Sequence, residues 1–236
     1  MQVRWYEQTE QDVRPDESWL SEWELGHLRT LKVPKRRGDW LLGRWTAKRA
    51  AADYLALPTD PADLSTIEIR PDETGAPEVF VRGAPADLAI SLTHRNGLGA
   101  CVLGGRGKKF GCDLEAVEPR SDAFVEDYFT FEEQSLLAGA SAADRFTVAA
   151  LIWSAKESAL KALRVGLRSS TRSVSVECVS AVARSQVGFS IDVHSLNAPP
   201  AEKWGELLLK CSPDLAFEGK WCRTGEFVRT VVVAND

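Results

Sequence analysis

Residues 110–115 read Phe-Gly-Cys-Asp-Leu-Glu, and residues 153–161 read Trp-Ser-Ala-Lys-Glu-Ser-Ala-Leu-Lys. Alternating apolar and acidic residues in the first stretch predict a strand with one buried face, and Asp113 and Glu115 share the other face. In the second stretch, side chains of like character recur three and four positions apart, which predicts a helix. Together the stretches predict a strand that carries two acids and a helix that carries a third acid and two lysines.

These acids are candidate ligands of a metal ion. Asp113 and Glu115 can converge on one cation, and Glu157 of the helix can complete the site. Oxygen donors without a neighbouring His or Cys favour Mg²⁺ or Mn²⁺ over zinc. Magnesium usually takes further oxygens from substrate phosphates, so Lys156 and Lys161 are expected to hold a diphosphate. For either stretch alone, solvent-facing acids and a simple Glu157–Lys161 surface pair remain the alternative.

Predicted strands and helices occur in blocks rather than in strict alternation. Helices are predicted at residues 18–31, 34–57, 122–128, 131–138 and 142–163. Strands are predicted at residues 3–7, 67–69, 79–81, 88–92, 99–103, 110–115, 189–193, 207–211, 215–222 and 227–233. This order favours an α+β architecture of two half-domains, residues 1–106 and 107–236, each an antiparallel sheet packed with helices.

Composition excludes several classes of protein. The 236 residues carry a net charge of −5, which argues against a main role in binding nucleic acid, because such binding depends on neutralising phosphates. No apolar run is long enough to span a membrane, and the first residues lack the pattern of a signal peptide. Five cysteines without a C-x-x-C pair fit reduced thiols. We therefore expect a cytoplasmic protein without a nucleic-acid or membrane partner.

Taken together, the two stretches resemble the signature of the 4′-phosphopantetheinyl transferases of the surfactin-activating (Sfp-like) type. Flanking segments are similar too: a basic segment at 36–44, Ser-Leu-Thr-His at 91–94, and Tyr-Phe-Thr-Phe-Glu-Glu at 128–133. The resemblance covers the chain from about Arg36 to Leu167. It implies the fold of that family, with two similar half-domains related by pseudo-twofold symmetry and coenzyme A in the cleft between them.

The resemblance also implies a reaction. The enzyme would transfer the 4′-phosphopantetheine arm of coenzyme A to a serine of an apo acyl or peptidyl carrier protein, with Mg²⁺, and release adenosine 3′,5′-bisphosphate. Asp113, Glu115 and Glu157 would bind the metal. Lys161, with Lys156, would hold phosphates and neutralise charge on the leaving group.

Two further implications concern the serine proton and the nucleotide. Either Glu157 or Glu133 would accept the proton, and the residues leave both open. The resemblance assigns the nucleotide to the N-terminal half, and the expected contacts there are Arg36, Arg37, Arg44, Gly75, Pro77, Thr93 and His94. Ala76 stands where the family often has a lysine, and Arg70 or Arg82 could supply that charge.

Other interpretations remain open. A protein of the same fold could bind coenzyme A or a carrier protein without turnover. The basic segment could be a solvated helix face, or a nucleic-acid surface that the net charge disfavours. Arg164, Arg168 and Arg172 could meet an acidic helix of a carrier or lie in an ordinary solvated loop. We expect a monomer, since a cleft between two halves of one chain needs no partner subunit.

Overall fold

The computed structural model describes residues 2–180, 190–193, 204–212 and 215–234. These residues form two compact units. The N-terminal unit takes them from Gln2–Lys108 and Ile191–Ala198, and the C-terminal unit takes them from Lys109–Ser190 and Pro199–Asp236. Phe189, the first residue of a predicted strand, lies outside the described residues.

The N-terminal unit builds two sheets around a long helix. Its elements are β1 (Gln2–Thr9), α1 (Glu22–Leu28), α2 (Pro34–Tyr54), α3 (Pro61–Ser65), β2 (Ile67–Pro71), β3 (Pro77–Val81), β4 (Ala84–Pro85), β5 (Leu88–Arg95), β6 (Leu98–Gly105) and, from Ile191 onward, β9 (Ser190–Val193). The sheets have the strand orders β5-β6-β1-β9 and β2-β3-β4. Pro34 is the first residue of α2, where its missing N–H costs no hydrogen bond.

A buried ion pair links three elements of the N-terminal unit. Ser21 and Glu24 form a capping box at the start of α1. The same Glu24 pairs with Lys48 of α2 and accepts a hydrogen bond at 3.2 Å from the backbone N–H of Ile69 in β2. Because both charged side chains are fully buried, this pair belongs to the core of the unit.

The C-terminal unit is one antiparallel sheet covered by a buried helix. Its elements are β7 (Phe110–Ala116), α4 (Asp122–Tyr128), α5 (Phe131–Gly139), α6 (Arg145–Ala162), β8 (Ser175–Ser180), β10 (Gly205–Ser212), β11 (Leu215–Thr224) and β12 (Phe227–Ala234). The strand order is β7-β12-β11-β10-β8. Apolar side chains of α6 and the sheet fill the core, among them Leu160, Val228 and Val232.

The α+β class predicted from the sequence is confirmed, while several details of the prediction differ. α1 is shorter than predicted, because the capping box at Ser21 fixes its start. α6 begins at Arg145 after a turn in which Ser141 and Asp144 bond to each other. α3, β4 and β8 were not predicted, and the N-terminal unit contains two sheets where the sequence predicted one. None of the helices in the described part of the chain is long and apolar enough to cross a membrane.

Candidate active site

The acids of β7 are buried rather than solvent-facing. Every residue of β7 is buried, and Asp113 and Glu115 are only 2% and 7% exposed. β7 pairs with β12 along one edge, and α6 packs across its face. The acidic positions of the alternating sequence therefore do not form a solvent-exposed face. Buried carboxylates require partners, because burying an isolated charge costs on the order of several kcal/mol.

Gly111 allows α6 to lie directly against β7. A Cβ atom at this position would collide with the carbonyl oxygen of Ser158 and lie 2.7 Å from the backbone nitrogen of Ala162. Since those atoms are backbone, no change of rotamer could relieve the contact. The missing side chain therefore brings the part of α6 that carries Glu157 and Lys161 next to Asp113.

Three hydroxyl groups fasten α6 to β12. The Oγ1 atom of Thr230 lies 2.8 Å from Oγ of Ser154 and 2.7 Å from Oγ of Ser158, and all three residues are buried. Thr230 is also the residue that pairs with Asp113 across the sheet. The serines of the helical motif thus fix the register of α6 against the strand beside the acids.

Lys161 joins two of the three acids. Its Nζ atom lies 2.7 Å from Oδ1 of Asp113, 3.1 Å from the carbonyl oxygen of Cys112 and 3.7 Å from Oε2 of Glu157. Burial acts to lower the pKa of Lys161, but the charges of Asp113 and Glu157 outweigh it and raise that pKa above its usual range. Lys161 is therefore a permanent cation between two carboxylates.

Glu157 is the acid most affected by this environment. Burial and then the negative charge of Asp113 raise its pKa to about 7, although Lys161 acts in the opposite direction. Close carboxylates raise one another's pKa because they cannot all ionise without cost. Glu157 is consequently only partly ionised near neutral pH in the metal-free protein.

Glu115 has its own counter-ion in Arg120. The Nη2 atom of Arg120 lies 2.7 Å from Oε2 of Glu115, and the guanidinium stands 5.1 Å from the ring centroid of Phe124. The Phe124 ring in turn meets the ring of Trp153 edge-on at 4.9 Å. Arg120 and Phe124 are not among the site residues predicted from the sequence. An arginine five positions after the second acid was the available signal.

Lys156 and Glu133 do not fit the ligand-binding and proton-accepting roles predicted for them. Their side chains are 0% exposed and form an ion pair with each other. Glu133 also caps α5 through Thr130 and accepts a hydrogen bond at 2.8 Å from the N–H of Val176 in β8. Burial lowers the pKa of Lys156, while the Glu133 carboxylate opposes that change. The pair repeats the Glu24–Lys48 arrangement of the N-terminal unit, so it belongs to the core.

The predicted nucleotide contacts in the N-terminal unit differ in accessibility. Arg36 is exposed on α2, whereas Arg37 pairs with Glu17 and donates a hydrogen bond at 3.2 Å to the carbonyl oxygen of Leu28. Arg44 is half-buried, stands 4.9 Å from the Trp40 ring centroid, and has its pKa lowered by burial. These positions leave Arg36 more accessible to a phosphate than Arg37.

The remaining predicted contacts lie at strand ends. Gly75 adopts a positive φ of 85° in a turn closed by Asp72, and Pro77 begins β3 two residues later. In β5, Thr93 is buried and its neighbour His94 is exposed. Their roles toward a nucleotide stay predictions.

The carboxylates of β7 and α6 are suitable ligands for Mg²⁺, although side-chain cations of the protein already contact them. Within the described ranges, no group of three or more His, Cys, Asp or Glu side chains is arranged as ready metal ligands. The acids are instead paired with side-chain cations. Lys161 contacts Asp113 and Glu157, and Arg120 contacts Glu115. Two carboxylates with waters and phosphate oxygens are sufficient for Mg²⁺. Asp113 and Glu157 are the residues that would hold it, with Glu115 available if Arg120 releases it.

Comparison with known proteins matches this part of the chain. A family model described as the 4′-phosphopantetheinyl transferase superfamily (ACPS) matches residues 109–206. Holo-[acyl-carrier-protein] synthases from Streptococcus agalactiae strains of serotypes III, V and Ia are each 32% identical over 85 residues. The aligned part is 36% of this chain and 71% of each relative. The family match contains the acids of β7 and the charged residues of α6.

Proposed function

Because the chain belongs to the 4′-phosphopantetheinyl transferase superfamily, we propose that it transfers 4′-phosphopantetheine from coenzyme A to a serine of an apo acyl or peptidyl carrier protein. The proposal includes the surfactin-activating subtype and dependence on Mg²⁺ or Mn²⁺. Its main support is the contact of one ammonium group, that of Lys161, with both Asp113 and Glu157. That cluster has the charges needed to hold a metal and a diphosphate together.

The proposed reaction is a displacement at phosphorus. The serine Oγ of the carrier attacks the β-phosphorus of coenzyme A, the bond from that phosphorus to the bridging oxygen breaks, and adenosine 3′,5′-bisphosphate leaves. When bound, Mg²⁺ supplies charge neutralisation and orientation of the diphosphate oxygens. Lys161, whose pKa is raised, stays protonated and neutralises charge on the leaving group.

The serine proton is assigned to Glu157. Of the two acids considered, Glu133 is fully buried and already paired with Lys156. The Glu157 side chain is 19% exposed and lies beside the Lys161 ammonium. A general base must reach the proton it removes. The exposed part of Glu157 could come within reach of a bound serine, whereas Glu133 has no exposed surface.

The test is an intact-mass measurement of carrier proteins. Purified protein is incubated with coenzyme A, Mg²⁺ and apo carriers from fatty-acid, polyketide and peptide-synthetase systems. We expect at least one carrier to gain the mass of phosphopantetheine. No gain in any carrier, from a protein shown to be folded, would overturn the proposal.

A second candidate function is binding without turnover. It is favoured by Ala76, which replaces a basic residue in the predicted nucleotide contact, and by the two chain cations that already neutralise the acids. In the same experiment, binding of coenzyme A without a mass gain in the carriers would support this function over transfer.

A further inference from the structure

Arg120 gives the acids of β7 a second counter-ion besides Lys161. Its Nη2 atom lies 2.7 Å from Oε2 of Glu115, and its Nη1 atom lies 3.6 Å from Oε1 of Glu118. The Arg120 side chain is only 14% exposed and that of Glu115 only 9%. Because water screens such a pair poorly, the guanidinium strongly affects the electrostatic energy of Glu115.

Packing of aromatic rings places Arg120 in this position. The guanidinium lies over Phe124 of α4, and Phe124 and Tyr128 both meet the ring of Trp153 edge-on, at 4.9 Å and 5.2 Å. Trp153 itself is buried on α6. The Arg120–Glu115 pair is therefore held by the core of the C-terminal unit, unlike a surface pair formed by two mobile side chains.

The charges of the site suggest a consequence for metal binding. Three carboxylates (Asp113, Glu115 and Glu157) face two cations (Lys161 and Arg120), so these five groups carry one net negative charge when fully ionised. Glu118 adds a further charge, which water screens because its side chain is 42% exposed. A divalent cation alone gains little attraction from a cluster that is almost neutralised. A diphosphate brings negative charge of its own, so metal and diphosphate should bind better together than separately.

We propose that Arg120 is a positioning residue that holds Glu115 in the metal-free protein and makes binding of Mg²⁺ depend on the diphosphate of coenzyme A. The inference rests on the proposed function, since it requires a metal and a diphosphate at this site. Arg120 weakens the binding of Mg²⁺ alone, because the guanidinium and the metal ion compete for the Glu115 carboxylate. By thermodynamic linkage, coenzyme A and Mg²⁺ then raise each other's affinity by the same factor.

The test is calorimetric titration of Mg²⁺ into the full chain, with and without coenzyme A. Arg120→Met removes the charge and keeps an apolar chain over Phe124. We expect it to bind Mg²⁺ alone about tenfold or more tightly than wild type, and to lose most of the gain that coenzyme A gives. Arg120→Lys keeps the charge and should bind Mg²⁺ alone as weakly as wild type. Arg120→Gln serves as a second neutral variant if the Met variant is unfolded by circular dichroism.

Arg145→Met is the matched control. It removes the same charge from the same unit, but the guanidinium of Arg145 bonds to the carbonyl oxygen of Leu137. Arg145 is twelve residues before Glu157 on α6, about 18 Å along the helix. We expect its Mg²⁺ affinity to equal that of wild type.

Unchanged or weaker Mg²⁺ affinity in a folded neutral variant of Arg120 would overturn the inference, because lost positioning alone predicts weaker binding. An equal gain in Arg145→Met would also overturn it, since net charge would then explain the effect. Coupled binding in a protein that modifies no carrier would contradict only the proposed function. If the protein transfers phosphopantetheine but its Mg²⁺ affinity is the same with and without coenzyme A, only the role of Arg120 would be contradicted.

Discussion

The Nζ atom of Lys161 lies 2.7 Å from Oδ1 of Asp113, which makes a side chain of α6 the counter-ion of a buried acid on β7. The same ammonium is 3.7 Å from Glu157. A metal-free site with three carboxylates is stable in this chain because its own cations neutralise most of the charge. Several consequences for stability and activity can be measured.

Replacement of Lys161 by Met should destabilise the metal-free protein. Asp113 would keep its burial but lose its cation, so we expect the free energy of unfolding to fall by about 1 to 3 kcal/mol. Urea denaturation in the presence of a chelator measures this change. Added Mg²⁺ should restore more stability to the variant than to wild type, because it supplies the missing charge. A variant that Mg²⁺ does not stabilise would contradict the assignment of this cluster to a metal.

Stability should depend on pH through Glu157. Its pKa of about 7 in the folded protein is above the value of 4.5 for an ordinary glutamate, so the folded state binds more protons between these values. The free energy of unfolding should therefore fall as pH rises from about 4.5 to 7, by up to about 3 kcal/mol, and then level off.

Glu157→Gln provides the comparison for that profile. The amide does not ionise, so the variant should lose most of this fall and be more stable than wild type at pH 8 without metal. Urea denaturation at pH 5 and pH 8, with a chelator, measures both. Parallel profiles for the two proteins would show that Glu157 does not titrate as described.

Gly111→Ala should disrupt the contact between β7 and α6. The new methyl group would collide with the backbone of Ser158, so either the helix moves or the strand does. We expect a loss of about 1 to 3 kcal/mol or more in stability, as for other overpacked cores. Gly139→Ala is the control, because a Cβ at Gly139 would have no neighbour within 4 Å. Equal melting temperatures for the two variants would contradict the close approach.

Lys156→Met distinguishes a core role from a phosphate-binding role. If Lys156 only neutralises Glu133, the variant should lose about 3 to 5 kcal/mol of stability through the unpaired buried acid. Adding Glu133→Gln to it should recover part of this loss. The KM for coenzyme A of the folded protein should stay near wild type. A raised KM with unchanged stability would instead indicate contact with phosphate.

The sequence predicted the strand and helix of the site well but not the environment of their side chains. β7 and α6 were expected at residues 110–115 and 142–163 and occur at 110–116 and 145–162. Periodicity identifies such elements because their repeats are local. Helical spacing placed Lys156 on a polar face, although α6 is buried on almost every side. The partner of Lys156 is Glu133, 23 positions away, and its pairing depends on how α5 packs against α6.

Arg120 and Trp23 show the same limit of local patterns. Arg120 follows β7 in a segment without periodicity, and its position depends on the ring of Phe124, which packs against Trp153. Trp19 and Trp23 are four positions apart in the helix predicted at residues 18–31 and would share one face of it, yet Trp23 is 40% exposed while Trp19 is fully buried. Tertiary packing decides such positions, and helical spacing alone cannot.

The most direct test of the central claim compares wild type with Asp113→Asn in one carrier-modification reaction. The amide keeps the size of the side chain and removes the charge that Lys161 and a metal would share. The account predicts that wild type adds phosphopantetheine to a carrier serine and releases one adenosine 3′,5′-bisphosphate per transfer, and that the folded Asp113→Asn protein is slower by about a hundredfold or more. Equal rates for the two proteins, or no transfer by wild type to any carrier, would contradict it.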